Sequence, residues 1–426
     1  MPKPFVVAVE MGYGHLRAAY PLAEALGTTV LHADRPPLAD AEEQRLWART
    51  RTFYENVSRL SQVPAVGAPL RWLLDEITAI PHLFPYRDMS AATPGVLGHD
   101  RLITRRGLGR GGFEHMRRTG APMLTTFYTS AIAAERLGGG PAYCVVTDTD
   151  INRVWAPLDA QHTKILYFAP THRVVRRLRA YGLPPEQIRF TGFPLPEELL
   201  GGRELAALQR NLAARLVRLD PERGFLSETS AEVRHFLGEL PEHERGRPPL
   251  VTFAVGGAGA QVELARSFLP GFADGLREGR LRLALVAGVR SDVEARFRAY
   301  LEEAKLSELL GGAIRILREQ TFEDYYHAVN RLLAETDVLW TKPSEMVFYG
   351  ALGLPLVLSS PVGAHERYNR RWAVERGAGL RQRDPRFAAE RIAEWLADGT
   401  LAAAAWSGFM RLPKFGLYEI LDAVGG

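Results

Sequence analysis

Residues 5–34 read FVVAVEMGYGHLRAAYPLAEALGTTVLHAD. The apolar run from Phe5 to Val9 suits a strand buried on both faces. A Gly12-Tyr13-Gly14 turn follows. Leu16, Ala19, Ala23 and Leu26 then recur at helical spacing, and a second apolar run begins at Val30. Strand, glycine turn, helix, strand is a βαβ unit, and its two strands must lie parallel.

The unit recurs along the chain. PMLTTFYT (122–129), AYCVVTDTD (142–150), KILYFAP (164–170) and IRFTGFP (188–194) are short strands separated by helical segments. PLVTFAVGGAGAQVELARSFLPGF (249–272) repeats the opening logic, and LRLALVAGV (281–289), IRILREQ (314–320), TDVLWTK (336–342) and LPLVLSS (354–360) continue it. Such alternation predicts an α/β protein with parallel sheets covered on both faces. There are two series, hence two Rossmann-like domains. The first spans 1–195 and is completed by a closing helix within 405–426; the second spans 248–404. The charged, helical stretch 196–247 reads as a connector with an insertion.

Composition narrows the class. Of 426 residues, 46% are apolar, which fits a globular chain. No run of 18 apolar residues predicts a membrane span. Met1-Pro2-Lys3-Pro4 leads directly into a strand without the apolar core of a signal peptide. The single cysteine, Cys144, leaves no intrachain disulfide and no multi-cysteine zinc site. These features predict a cytoplasmic protein. The net charge of +4 is small for this length and scattered, so nucleic acid is not an expected partner. Only five of the 53 basic residues are lysines, which draws attention to Lys342.

Polar residues just past the carboxyl ends of parallel strands are where such sheets bind ligands. In Thr341-Lys342-Pro343-Ser344-Glu345, proline suits the first position of a helix. The helix start would offer free N–H groups to an anion, with Lys342 adding charge, Ser344 a hydroxyl and Glu345 an acceptor for ribose; the alternative is a plainly capped helix. Gly256-Gly257-Ala258-Gly259-Ala260-Gln261 is a second strand-to-helix loop, whose glycines permit close approach of a ligand. Gly12-Tyr13-Gly14-His15 places a histidine at a helix start, either as general base or as a packing residue. Asp148-Thr149-Asp150 has the spacing of a metal-holding D-x-D, a pattern also expected by chance. Gly363-Ala364-His365-Glu366-Arg367-Tyr368-Asn369 follows a strand in the same way.

The order of these pieces resembles the two-domain GT-B glycosyltransferases, in particular the branch with monogalactosyldiacylglycerol synthase, diacylglycerol glucosyltransferases and MurG. GYGHLRAAYPLAEAL, CVVTDTDINRVWAP, YFAPTHRVVRRLRAYGLPPEQIRFTGFPL, VGGAGAQ and TDVLWTKPSEMVFYGALGLPLVLSSPVGAHERYNRRWAVERGAGL carry the likeness, over most of 1–195 and 250–380. The resemblance implies two Rossmann-like domains facing a cleft, with a C-terminal helix packing back on the first. It implies an inverting, metal-independent transfer of a hexose from a nucleotide-diphospho-sugar, UDP-linked in that branch, without a cofactor. His15 is then the base, with Asp148 orienting it or the acceptor. Gly256, Gly257, Gly259, Gln261, Thr321, Lys342, Ser344, Glu345, His365 and Glu366 are donor contacts. Gly12, Tyr13, Gly14, Arg105 and Arg106 are acceptor contacts. The chain departs from the branch where its acidic ribose ligand should fall: Val347 and Phe348 occupy those slots, so either Glu345 substitutes or ribose is held differently. A sugar-nucleotide epimerase or hydrolase, or a non-catalytic binder, are the alternatives.

The acceptor is read from two further features. Residues 41–86 are helical and carry Trp47, Phe53, Tyr54, Trp72, Leu73, Leu74, Ile77, Leu83 and Phe84, and 101–120 is an arginine-rich loop. Together they form either a lipid-facing surface peripheral to the anionic inner face of the membrane or an ordinary core beside a solvated loop; a soluble small-molecule acceptor stays open.

Overall fold

The computed structural model describes residues 2–60, 80–257, 259 and 261–425, and side-chain burial outside 53–60. The chain divides into two compact units. One comprises Met1–Leu195, Val362–Asn369 and Phe415–Gly426; the other comprises Pro196–Pro361 and Arg370–Lys414.

The first unit is built on strands β1 (Phe5–Ala8), β2 (Val30–His32), β3 (Met123–Thr125), β4 (Ala142–Val145), β5 (Leu166–Ala169) and β6 (Ile188–Phe190). They form one parallel sheet in the order β2-β1-β3-β4-β5-β6. The second unit repeats the plan with β7 (Leu250–Ala254), β8 (Arg282–Gly288), β9 (Ile314–Arg318), β10 (Val338–Thr341), β11 (Leu356–Leu358) and β12 (Gly379–Arg381), in the order β12-β11-β10-β7-β8-β9. Two six-stranded parallel sheets with helices between their strands are the GT-B plan that the sequence predicts. The central strands β1, β7 and β10 are buried along their whole length, which is why they read as continuous apolar runs rather than as alternations.

Two buried guanidinium groups fasten the segment expected as a connector with an insertion to the second unit. Arg215, on helix Ala206–Leu219, donates to the carbonyls of Thr336 (2.8 Å), Leu352 (2.9 Å) and Gly353 (3.1 Å). Arg218, one turn on, pairs with Asp337 at 2.7 Å, and Asp337 also accepts from the Leu250 N–H at 2.8 Å. The starts of β7 and β10 are thereby tied to the connector, and 196–247 is part of the second unit. Burial lowers the pKa of Arg215 to about 10, which still leaves it charged at neutral pH.

The closing helix is Gly416–Val424, and the chain rejoins the first unit at Phe415, ten residues later than expected. A Cβ on Gly416 would lie 2.3 Å from the Phe193 carbonyl oxygen, so only glycine allows this close seat. The arginine-rich stretch 101–120 is not a loop. It is the end of helix Pro94–Arg106 and helix Arg110–Thr119, broken by left-handed glycines at 107 and 109. The buried carboxylate of Glu43 accepts from the N–H groups of Gly109 (2.8 Å) and Gly111 (2.9 Å) and from Trp47 Nε1 (3.1 Å). Its desolvation raises its pKa against those three donors. Trp47 and Leu83 are therefore core residues, whereas Phe84 is exposed. Trp72, Leu73, Leu74 and Ile77, and the side chains of Phe53 and Tyr54, lie outside the described residues. No helix among the described residues is long and apolar enough to cross a membrane.

Replacing Arg215 by Met should lower the unfolding free energy by about 2–4 kcal/mol, because four carbonyls, those of Leu333, Thr336, Leu352 and Gly353, lose a charged donor. Urea unfolding measures this; a loss below about 0.5 kcal/mol would show that the guanidinium anchor is dispensable.

Candidate functional site

Each sheet winds outward in both directions from an inner strand. β1 has β2 on one side and β3 on the other; β7 has β8 and β10. At such a reversal the flanking connections leave in opposite directions and open a crevice beyond the strand's carboxyl end. His15 follows β1, Gly256 follows β7 and Lys342 follows β10, so three candidate residues stand at these two reversals.

His15 is the third residue of helix Tyr13–Leu26. Its Nδ1 lies 2.7 Å from the backbone carbonyl oxygen of Thr126, just past β3. A carbonyl only accepts, so Nδ1 carries the hydrogen and Nε2 is the basic nitrogen of the neutral ring. The Thr126 hydroxyl donates to the His15 carbonyl at 2.9 Å, and Thr147 Oγ1 stands 3.4 Å from Nδ1. The Phe127 ring meets the imidazole edge-on at 4.9 Å between centroids. The ring is thus held by the ends of β3 and β4.

Asp148, expected to orient His15 or the acceptor, accepts from Asn369 Nδ2 at 3.0 Å. Asn369 is fully buried, and its Oδ1 accepts from both the N–H (2.9 Å) and the hydroxyl (2.8 Å) of Thr149. Asp150 is fully buried and salt-bridged to Arg177 at 2.8 Å and to Arg173, whose guanidinium also covers the Tyr368 ring. The D-x-D pattern is therefore committed to internal contacts. No cluster of three metal-ligating side chains occurs among the described residues. Asn369 and Thr126 are the residues that sequence reading misses. Thr126 acts through its main chain, which leaves no signature. Asn369 stands in the polar stretch 363–369, where its residue type alone points to no particular partner.

In the second unit, the Lys342 side chain lies across Gly256. A Cβ built on Gly256 would sit 2.4 Å from Lys342 Cε and 3.1 Å from Nζ. The ammonium is thus placed over the glycine loop, where Gly259 donates to the Gly256 carbonyl at 2.7 Å. Gly259 and Gln261 both adopt left-handed backbone, and Gln261 Nε2 donates to the Ser360 carbonyl at 2.6 Å. Ala258 and Ala260 lie outside the described residues.

The α-helix expected from Pro343 is a 3-10 helix, Glu345–Leu352, with Ser344 as its N-cap and no side-chain capping bond. All eight of its residues are buried, and Arg215 grips its carbonyl end, so packing rather than helix propensity sets the winding. A helix of this winding aligns its first N–H groups less well than an α-helix does. Glu345 is buried; Val347 and Phe348, in the slots of the missing ribose ligand, are core side chains.

The remaining candidates divide. Thr321 caps helix Phe322–Glu335, accepting from the Asp324 N–H at 3.1 Å and donating to its carboxylate at 2.7 Å. Glu366 is buried and accepts from the Val362 N–H at 2.7 Å, and the His365 ring folds against Gly363; both belong to the first unit. Gly12 is exposed at the helix start with φ 115°, and Gly14 is half-buried beside His15. Tyr13 turns inward and is buried, with the Arg17 guanidinium 5.9 Å from its ring centroid. Arg105 and Arg106 lie exposed in the last turn of helix Pro94–Arg106, where they complement its carbonyl end.

Residues 304–419 match the family model described as a domain of unknown function, DUF6938. No curated protein matches the chain. Among solved structures, the chain is similar to S. aureus MnaA, solved with UDP, at 11% identity and TM-score 0.53, over 100% of this chain and 96% of the other. It is also similar to Acinetobacter baumannii MurG (14% identity, TM-score 0.49, 100% and 99% covered). A third is the UDP-GlcNAc 2-epimerase of Neisseria meningitidis bound to UDP-GlcNAc (10% identity, TM-score 0.49, 98% and 99% covered). At these identities the likeness is one of fold, the two-domain GT-B architecture.

Replacing Asn369 by Asp sets a second carboxylate against Asp148. One of the pair must then hold its proton, so its folded pKa rises above the unfolded value near 3.9. Between those two values the folded state binds more protons, and stability falls as pH rises. The variant should be less stable than the parent by about 2–4 kcal/mol at pH 7.5, with a smaller deficit at pH 5. Denaturant titrations at both pH values check this; a deficit that does not change with pH would refute the Asp148–Asn369 contact.

Proposed function

We propose that this protein is an inverting glycosyltransferase that moves a hexose from a nucleotide-diphospho-sugar, UDP-linked in the first instance, to an acceptor hydroxyl. The observation that carries the reading is the Lys342 side chain laid over Gly256, at the reversal point of the second sheet. A fixed cation beside glycine backbone suits a diphosphate leaving group. His15 supplies the complementary chemistry: its Nε2 takes the acceptor proton as the acceptor oxygen attacks the anomeric carbon. The bond from that carbon to the diphosphate oxygen breaks, and the nucleoside diphosphate leaves with the electron pair, its charge met by Lys342. Glu345 is the proposed ribose contact. The residues in this chemistry are the protein's own, with no cofactor or metal assigned a step. A lipid acceptor at an anionic membrane surface is part of the proposal, resting on exposed Phe84 and the exposed Arg105 and Arg106.

An epimerase or hydrolase would use the same donor site, and the fold likeness to a 2-epimerase keeps that reading in the test. A thermal-shift panel of UDP, GDP, ADP, CDP and dTDP should show stabilisation by one of them. Lys342→Ala should lose that shift. Gly256→Ala should lose it too, by pushing the lysine aside, with no further loss in the double variant. His15→Ala should keep the shift and lose turnover by about 10²–10⁴-fold. Stabilisation by none of the five would end the donor-site reading. Product analysis by mass spectrometry then separates transfer from epimerisation or hydrolysis.

A further inference from the structure

A surface cavity of about 130 Å³ lies in the second unit, beside the edge strand β12 and its neighbour β11. Its floor is Val357 of β11 and Ile392 of helix Ala388–Ala397, both buried. Its walls are aromatic. Trp395 forms one side, with the Arg391 guanidinium 5.6 Å from its ring centroid, and Phe387 forms the other. Phe387 is 54% exposed. Gln382 is pinned as part of the lining, because its side-chain carbonyl accepts from Trp340 Nε1 at 2.9 Å.

The charges at the mouth do not cancel. Asp384 is neutralised by Arg386, whose guanidinium lies 2.6 Å away and whose N–H donates at 3.0 Å. Arg391 has only a loose, exposed partner, Glu394 at 3.6 Å, and such pairs contribute little. Arg383 makes no side-chain hydrogen bond or ion pair with a described residue. Apolar floor, aromatic walls and unmet guanidinium at the rim are complementary to one class of molecule. We infer that the cavity binds an amphipathic organic anion. A ring-sized apolar body sits on Val357 and Ile392 between Phe387 and Trp395, and a carboxylate or phosphate meets Arg383 and Arg391. A cavity of about 150 Å³ is known to hold benzene, so a single ring is the right scale. Neither Gly256 nor Lys342 lines the cavity, so the inference does not depend on the reaction proposed above.

Saturation-transfer NMR on the full chain tests it, with 4-phenylbutyrate as probe and its neutral amide as control. The acid should bind at least about threefold more tightly than the amide. Arg383→Ala combined with Arg391→Ala, two exposed changes, should make the two compounds bind alike. Ala388→Trp should fill the cavity and abolish binding of both; if that variant misfolds by circular dichroism, Phe387→Ala should weaken both compounds alike. No saturation transfer at millimolar probe overturns the inference. So does an acid preference that survives the double arginine variant, or binding that is indifferent to Ala388→Trp or its substitute.

Discussion

Parallel pairing of strands constrains everything else in this protein. Parallel neighbours cannot be joined by tight turns, so each connection must cross a face of the sheet and carries a helix with it. When the order reverses around β1 and around β7, successive crossings depart to opposite sides, and the carboxyl end of the inner strand is left uncovered. Chemistry-bearing residues accumulate there because it is the one place on a sheathed sheet where side chains and main-chain N–H groups from adjacent strands converge. His15 and Thr126 meet at one reversal; Gly256 and Lys342 meet at the other.

Around these openings, buried charge does the fastening. Asp337 joins the starts of β7 and β10 through Leu250 and Arg218. Arg215 fixes the carbonyl end of the segment that follows Lys342. Asp150 holds Arg173 and Arg177, and Glu43 closes the glycine break between two helices. Each of these groups is satisfied by several partners, the condition under which a buried charge is tolerated. Removing any one would strand the others, so the loops behave as locked parts of the scaffold.

Much of this architecture is legible in the sequence, because strands buried on both faces and helices with one apolar face have distinct periods. The repeated strand–glycine–helix pattern predicts both sheets. β12, Gly379-Leu380-Arg381, escapes notice because it carries one large apolar side chain and ends exposed, and Gly379 is there for lack of room: a Cβ would lie 2.9 Å from Leu358. Proline at 343 suggests an α-helix, yet burial on every side produced a 3-10 helix. The site is less legible than the fold. Histidine and lysine announce themselves, but the carbonyl of Thr126 has no sequence signature. The role of Asp148 follows from Asn369, 221 residues away.

The hydrogen bond from His15 to Thr126 has a consequence for how the protein can drift over generations. The acceptor is a main-chain carbonyl, present whichever amino acid occupies position 126. A triad that relies on an aspartate to set the imidazole's proton loses that acceptor when the aspartate is replaced; a main-chain carbonyl is not lost when a side chain is. The position of the ring proton is therefore set by backbone geometry, and the side chains of Thr126, Thr147 and Phe127 are left to fix the ring's orientation.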